Sequence, residues 1–480
     1  MSFISPSFIG FAVLAVMAFH WFGHTPARTA VILVINLLFV GSFFASPLEA
    51  LPLILFLAAG YGAVTLLHLI PKKPVLAFLI FALVFLFCYF KRYEFMEDIR
   101  GLPFSYVDVG LSYILFRVLQ VMIDVRSGSI KERPSPLDYL NFTCFFLNFA
   151  SGPIQRYQDF HPQALQRTPL NISRRDLLEA VSRIMLGFIK VAIVSAVLFS
   201  FFEERDITKI RGFMTGEPGK DIYWFVTSAA SFTCYVYFNF SGYMDIVIGI
   251  GRLCGFSLPE NFNRPYLATN YLDLWARWHM TLSDWFRFYV FNMLVKAMTY
   301  LLPVRALAPY YGVVGFFVTF FFVGLWHVPT LVLGLSIGLG VSVNRLFQVL
   351  MRWRMGSDNY RRLCINSVYR TICHGMTLAY FFVSVTPMWM LPDTFLHEFG
   401  ALRTTLMISV GFVVLTVISS IAVILVGTVV HAFLWIRTRL APVFDNYWIR
   451  CGWAGAELFV LSAGAAILAS QIPEFIYQQY

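Results

Sequence analysis

The sequence predicts an all-α protein threaded many times through a membrane, and three observations carry that reading. Of its 480 residues, 59% are hydrophobic and only 13% are charged, against roughly 25% charged in a soluble domain; the mean hydropathy is +0.70. Apolar runs such as Phe8–Trp21, Val31–Phe44, Val75–Phe90, Ile184–Phe202 and Leu402–Ile436 approach or exceed the roughly 20 residues that cross a bilayer. The spacing of such runs predicts about eleven to thirteen membrane segments, some short enough to be re-entrant. Finally, the net charge of +10 is crowded into connectors: Arg156, Arg167, Arg174, Arg175 and Arg183 in one, Arg352, Arg354, Arg361, Arg362 and Arg370 in another, Arg437, Arg439 and Arg450 in a third. Cytoplasmic loops carry this excess. A nucleic-acid partner would need a soluble basic face, which the chain does not offer.

Taken in order, the first apolar run follows Met-Ser-Phe-Ile-Ser-Pro without a basic stretch, so it reads as the first span rather than a cleavable signal. Ser127–Asp138, Gln155–Arg175 and Glu203–Asp221 read as interhelical loops or surface helices, the last rich in turn residues (Gly212, Gly216, Pro218, Gly219). No linker, repeat or soluble module interrupts the chain, and residues 1–480 are expected to form one integral membrane domain. With the Arg437–Arg450 loop cytoplasmic, one further span, about Gly452–Ile472, would deliver the tail 473–480 to the external face. Seven scattered cysteines with no C-x-x-C pair argue for free packing thiols, not a disulfide framework or zinc site. No H-E-x-x-H, phosphate-binding glycine loop or acidic metal cluster is present, and no bound cofactor is expected.

The block 258–291 departs from its surroundings. Pro259 and Pro265 rule out an uninterrupted helix through its start. From Asn270 onward, Leu272, Trp275, Trp278, His279, Leu282 and Trp285 recur at three- and four-residue steps, which predicts an amphipathic helix, interfacial or re-entrant, with Trp275 and His279 one turn apart on a shared face. The second oddity is His327, which ends an apolar run as Gly324-Leu-Trp-His327. An ionisable side chain in a bilayer is costly and is by default a functional hypothesis; the alternative is an interhelical histidine bonded to a carbonyl. The same cost applies to Asp245, which must pair with an arginine or line a polar chamber. His20, His24, His68, His161, His374, His397 and His431 belong to no motif and read as structural.

At these residues the sequence resembles the membrane-bound O-acyltransferases, and within them the branch that O-acetylates bacterial polysaccharides or D-alanylates teichoic acid. The resemblance rests on Phe240-Ser-Gly-Tyr-Met-Asp245, Gly251-Arg-Leu-Cys-Gly-Phe256, Pro259-Glu-Asn-Phe-Asn-Arg-Pro-Tyr266, Trp275-Ala-Arg-Trp-His-Met-Thr-Leu-Ser283 and Gly324-Leu-Trp-His327. Ile123-Asp-Val125 and Ala150-Ser-Gly-Pro-Ile-Gln-Arg156 supply the earlier landmarks. It is strongest over about residues 110 to 330. The ending Phe475-Ile-Tyr477-Gln-Gln-Tyr480 is similar to the branch's F-x-Y-x-x-F tail, with Tyr in place of the final Phe. Three further departures are Val328-Pro329 where Gly usually follows the histidine, Phe288 where Asp is usual, and Gly338-Leu-Gly340 where many members carry a His-Gly pair.

The resemblance implies that His327 is catalytic, with His279 assisting it or lining the path to the donor, and that Tyr477 carries the acyl group as an ester. Trp278, Trp326, Asn261, Arg264, Arg277, Arg287 and Asp245 become candidate substrate-binding residues, the arginines because guanidinium suits the phosphates of a coenzyme A donor. Their plainer roles are headgroup anchoring for the arginines, and capping or bending the helix entry for Asn261 and Asn263. The implied activity is acyl transfer, acetyl from acetyl-CoA, in a bacterial inner membrane, to an exopolysaccharide or a periplasmic acetyltransferase partner. D-alanyl transfer, a transporter without chemistry and an inactive scaffold are the alternatives.

Overall fold

A computed structural model describes residues 5–93, 104, 106, 108–203, 218–327, 331–390, 401–439 and a few positions between 446 and 459. Among these residues the regular structure is helical throughout. Six helical stretches are long and apolar enough to cross a membrane: Leu51–Leu69, Lys73–Phe90, Arg174–Phe202, Arg305–His327, Leu331–Met355 and Arg403–Val426; Pro6–Phe22 and Arg28–Gly41 are shorter apolar helices. The Glu203–Asp221 loop lies mostly outside the described residues, and the expected last span and tail almost wholly so. The chain folds as a multi-pass membrane protein. It gathers into two compact units, one drawn from Met1–Phe188 and Gly242–Glu260, the other from Ile189–Ser241 and Asn261–Pro473.

The first unit contains α1 (Pro6–Phe22), α2 (Arg28–Gly41), α3 (Leu51–Leu69), α4 (Lys73–Phe90), α5 (Leu111–Ser127), α6 (Pro136–Thr143), α7 (Tyr157–Leu165) and α8 (Arg174–Ile189). Helix starts follow the expected chemistry: α1 and α6 open with Pro behind a serine, and Ser5 and Ser135 accept from the backbone of Phe8 and Asp138. Outward positions on α4, Phe78 and Phe81, are apolar and exposed, as a hydrocarbon-facing surface requires. Inward-facing α5 instead buries Arg117, which donates to the carbonyls of Phe142 and Thr143, at the C-terminal end of α6, and of Asn148 in the loop beyond; carbonyls at a helix end lack an intrahelical partner. Asp124 of the Ile-Asp-Val landmark accepts from Gln158 at 2.9 Å. Asp245 is paired: Arg183 Nε donates to it at 3.0 Å while the same guanidinium forks onto both oxygens of Glu260 at 2.7 and 2.6 Å.

The second unit contains α9 (Ser195–Glu203), which continues α8 through a π-turn at Lys190–Val194, and the first two-thirds of the 36-residue α10 (Pro218–Leu253). Then follow α11 (Tyr271–Trp275), α12 (Met280–Phe286), α13 (Asn292–Leu301), α14 (Ala308–His327), α15 (Leu331–Met355), α16 (Ser357–Ile365), α17 (Ser367–Ser384) and α18 (Ala401–Arg439). The main packings are α14 on α15 and α17 on α18. A Cβ on Gly324 would sit 2.5 Å from the Cα of Gly334. Small residues thus let two apolar helices approach backbone to backbone, the usual device where lipid removes the hydrophobic drive between helices. Trp224, Phe225, Ala379, Met407 and Leu415 form a core between α10, α17 and α18, tied at one end by Arg403 donating to the buried Asp221 at 2.5 Å.

Candidate active site

The amphipathic helix expected from Asn270 to Trp285 is two short helices with a break between them. Asn270 caps α11 by accepting from the Asp273 N–H at 3.0 Å. After Trp275 the chain leaves the helix, and His279 takes a left-handed conformation (φ 46°, ψ 50°) as the residue before α12. No Gly or Pro marks the break. Its cause is a tertiary bond. The carbonyl of Asn261 accepts from the Met280 N–H at 2.9 Å, and Asn263 N–H donates to the Arg277 carbonyl at 2.9 Å, pinning the turn to the preceding loop. The Asn261 side chain completes the clamp: its Oδ1 lies 3.2 Å from His279 Nδ1 and accepts from the Thr281 N–H at 3.1 Å and hydroxyl at 2.9 Å. An atom that accepts from a backbone N–H is the amide oxygen, so His279 Nδ1 must carry the proton, leaving Nε2 as the basic nitrogen.

His279 is fully buried, and Phe240 packs edge-on against its ring at 4.9 Å between centroids. The helix α14 ends at His327, and the two imidazole centroids are 6.0 Å apart, with Trp326 4.8 Å from His327 and 6.4 Å from His279. Burial first, and then the neighbouring His327, hold the His279 imidazole well below its usual pKa, so it is neutral near pH 7. The arrangement therefore offers two adjacent imidazoles among aromatic side chains, His279 fully buried with its tautomer set by an amide and His327 half-buried. Such a pair can accept a proton from a hydroxyl and return it to a leaving group.

Residues 56–386 match the model of the MBOAT, membrane-bound O-acyltransferase, family, a stretch that includes every residue of this constellation. The chain belongs to the membrane-bound O-acyltransferase family. It is 31% identical over 221 residues to a teichoic acid D-alanyltransferase of Bacillus subtilis, covering 46% of this chain and 53% of that protein. It is 31% identical over 183 residues to a probable alginate O-acetylase, AlgI, of Azotobacter vinelandii, covering 38% and 34%. A teichoic acid D-alanyltransferase of Streptococcus thermophilus is 26% identical over 340 residues, 64% of this chain and 79% of the relative. The chain thus spans about half of the first of these relatives and a third of the second.

In this member of the membrane-bound O-acyltransferase family, the structure distributes the remaining candidates unevenly. Trp278 is buried among Tyr237, Phe262 and Phe381, with centroids 5.8, 5.2 and 4.8 Å away. Arg277 and Arg287 are engaged locally, with Asp273 at 2.8 Å and Asp284 at 2.7 Å. Exposed Arg264 has a left-handed backbone (φ 48°) and no acidic partner among the described residues. Asp245 is committed to Arg183. Tyr477, the tail 473–480 and Val328-Pro329 lie outside the described residues. Phe288 is exposed with the Arg287 guanidinium 5.3 Å over its ring. Gly338 and Gly340 stand where backbone or rings crowd in, against the Phe317 carbonyl and Tyr380 respectively. Sequence reasoning missed Phe240 and Thr281 as neighbours of His279, although both sit inside quoted motifs.

Proposed function

We propose that the protein is an O-acyltransferase that takes an acetyl group from acetyl-CoA on the cytoplasmic side of a bacterial inner membrane and delivers it to an external hydroxyl acceptor. The observation that carries this is the His279–His327 pair, 6.0 Å between centroids, with His279 clamped by Asn261. One neutral imidazole removes the acceptor hydroxyl proton as its oxygen attacks the thioester carbonyl. The C–O bond forms, the C–S bond breaks, and the imidazolium returns the proton to the departing thiolate, so donor and acceptor balance as thiol and ester. The first acceptor is Tyr477: a phenol of ordinary pKa about 10 is protonated at neutral pH and needs this base. An aryl ester remains activated, so the group passes to a sugar hydroxyl, directly or through a periplasmic acetyltransferase, and regenerates the phenol. Arg264, exposed and without an acidic partner among the described residues, is the arginine we assign to the donor's phosphates. The relatives' names include both an O-acetylase and a D-alanyltransferase; D-alanyl is the variant acyl group.

The test uses purified protein and radiolabelled acetyl-CoA, comparing wild type, His327→Ala and Tyr477→Phe. Label retained on denatured wild type and lost in both variants is the expected result. Labelling that survives Tyr477→Phe removes the tail from the relay, and labelling that survives His327→Ala removes the catalytic role. Wild type that never labels and never binds acetyl-CoA would overturn the donor assignment and favour a D-alanyl carrier or transport without chemistry.

A further inference from the structure

A groove of about 470 Å³ opens on the second unit where α15, α16 and α17 meet the start of α11, within the range of small-molecule sites, roughly 300–1,000 Å³. Gly340 forms its floor: a Cβ there would lie 2.3 Å from a Tyr380 ring carbon and 2.9 Å from Tyr271, so only a bare backbone lets those rings close the back wall. The sides are Leu339, Val343, Phe347, Ile372 and Met376, all 42–59% exposed. These are outward faces of helices, and α15 is a stretch apolar enough to cross the membrane. The groove therefore opens sideways toward hydrocarbon rather than toward water. One end is different. Tyr360, Tyr369 and Arg370 converge there, and Arg370 has no carboxylate partner among the described residues, whereas Arg277 is held by Asp273. Arg352 and Arg354 at the end of α15 and Arg361 and Arg362 on α16 outnumber the one acid of that stretch, Asp358, so its net charge is cationic.

We propose that this groove is a binding site for an anionic phospholipid, one acyl chain lying along α15 and α17 and the phosphate meeting Arg370. An apolar slot open to the bilayer selects a chain, and a cation at its end with no carboxylate partner among the described residues selects the headgroup charge; basic pockets between membrane helices bind anionic lipid in this way. A soluble donor such as acetyl-CoA would present polar groups to apolar walls.

Native mass spectrometry of the intact protein, released from bilayers holding equal phosphatidylglycerol and phosphatidylcholine of one chain length, tests it. Wild type is expected to retain phosphatidylglycerol roughly fivefold over phosphatidylcholine, the preference one basic residue supplies. Arg370→Gln is expected to equalise the two, and Val343→Trp, which fills the slot, to release both. Both side chains are exposed, and a monodisperse chromatographic profile checks each fold. A preference that survives Arg370→Gln, unchanged retention in Val343→Trp, no retained lipid on wild type, or displacement of phosphatidylglycerol by acetyl-CoA would each overturn the proposal.

Discussion

Replacing Asn261 with alanine removes the clamp on His279, and the structure allows the effect to be sized. His279 is held in a left-handed backbone conformation, which costs a non-glycine residue about 1–2 kcal/mol. Three hydrogen bonds end on Asn261 Oδ1, each contributing about 1 kcal/mol net, and the Met280–Asn261 backbone bond adds a similar amount. With the side chain present the bonds exceed the strain by a comfortable margin; without it only the two backbone bonds, Met280–Asn261 and Asn263–Arg277, remain, and together they only about match the strain. The turn then loses its preference for this conformation, and His279 Nδ1 loses the partner that sets its tautomer. We expect Asn261→Ala to lower kcat/KM for the proposed acetyl transfer by about ten- to a hundredfold, each 1.36 kcal/mol being a factor of ten. Asn261→Asp keeps an acceptor oxygen and should retain activity at alkaline pH, but its carboxylate favours the imidazolium and moves the acid limb of the rate profile upward. Acetyl transfer measured from pH 5 to 9 reads both. An alanine variant as active as wild type, or an aspartate variant with an unmoved acid limb, would refute the clamp.

Three other outcomes follow from the same structure. Gly324→Ala should lower the thermal midpoint despite alanine's advantage in helices of about 1 kcal/mol, because the new Cβ meets only backbone, 2.5 Å from Gly334 Cα and 2.7 Å from its nitrogen, and overpacking costs about 1–3 kcal/mol; calorimetry in detergent reads it. His279, held low by burial and His327, binds a proton in the unfolded chain below about pH 6.5 but not when folded. Stability should therefore fall as pH drops below about 6.5 and gain nothing from this group above it, and His279→Gln should shallow that slope. Arg183→Gln takes from Asp245, whose side chain is 14% exposed, the guanidinium 3.0 Å away, and should destabilise by about 1–2 kcal/mol, discounted from the buried-pair cost for partial exposure. Most of that loss should vanish when Asp245→Asn is already present, a coupling that denaturation of the double-mutant cycle measures.

The membrane class was legible because it depends on composition and run length, which no tertiary contact can alter. The exceptional character of 258–291 was legible for the same reason: prolines, tryptophans and a histidine do not belong in a plain span. The single helix expected across Asn270–Trp285 was not found, and the reason is instructive. Leu272 and Trp275 belong to α11 and Leu282 and Trp285 to α12, two short helices whose apolar positions nearly keep phase across the break. Periodicity cannot distinguish that from one helix when the interruption comes from a bond to Asn261, 18 residues back. Asp245 was expected to find an arginine or line a chamber; which arginine could not be read from a pairing 62 residues apart.

The two histidines are held by opposite means, and both means are written into their motifs. His279 sits in a strained turn and depends on a polar clamp, so its surroundings need an amide and a hydroxyl, Asn261 and Thr281. His327 ends a continuous apolar helix and depends on how closely α14 lies on α15, so its surroundings need an absent side chain, Gly324. The glycine three residues before His327 lies nearly one turn back along α14, so a shift of that helix away from Gly334 would carry the imidazole with it. It follows that Gly324→Ala should lower the proposed acetyl transfer as well as stability, whereas Gly312→Ala, on the same helix with nothing nearer than the Arg345 side chain at 3.6 Å, should leave transfer unchanged and raise the thermal midpoint slightly through alanine's helix advantage. Equal losses at both glycines would mean that α14 responds to any added side chain, and that the close approach at Gly324 does not set the position of His327.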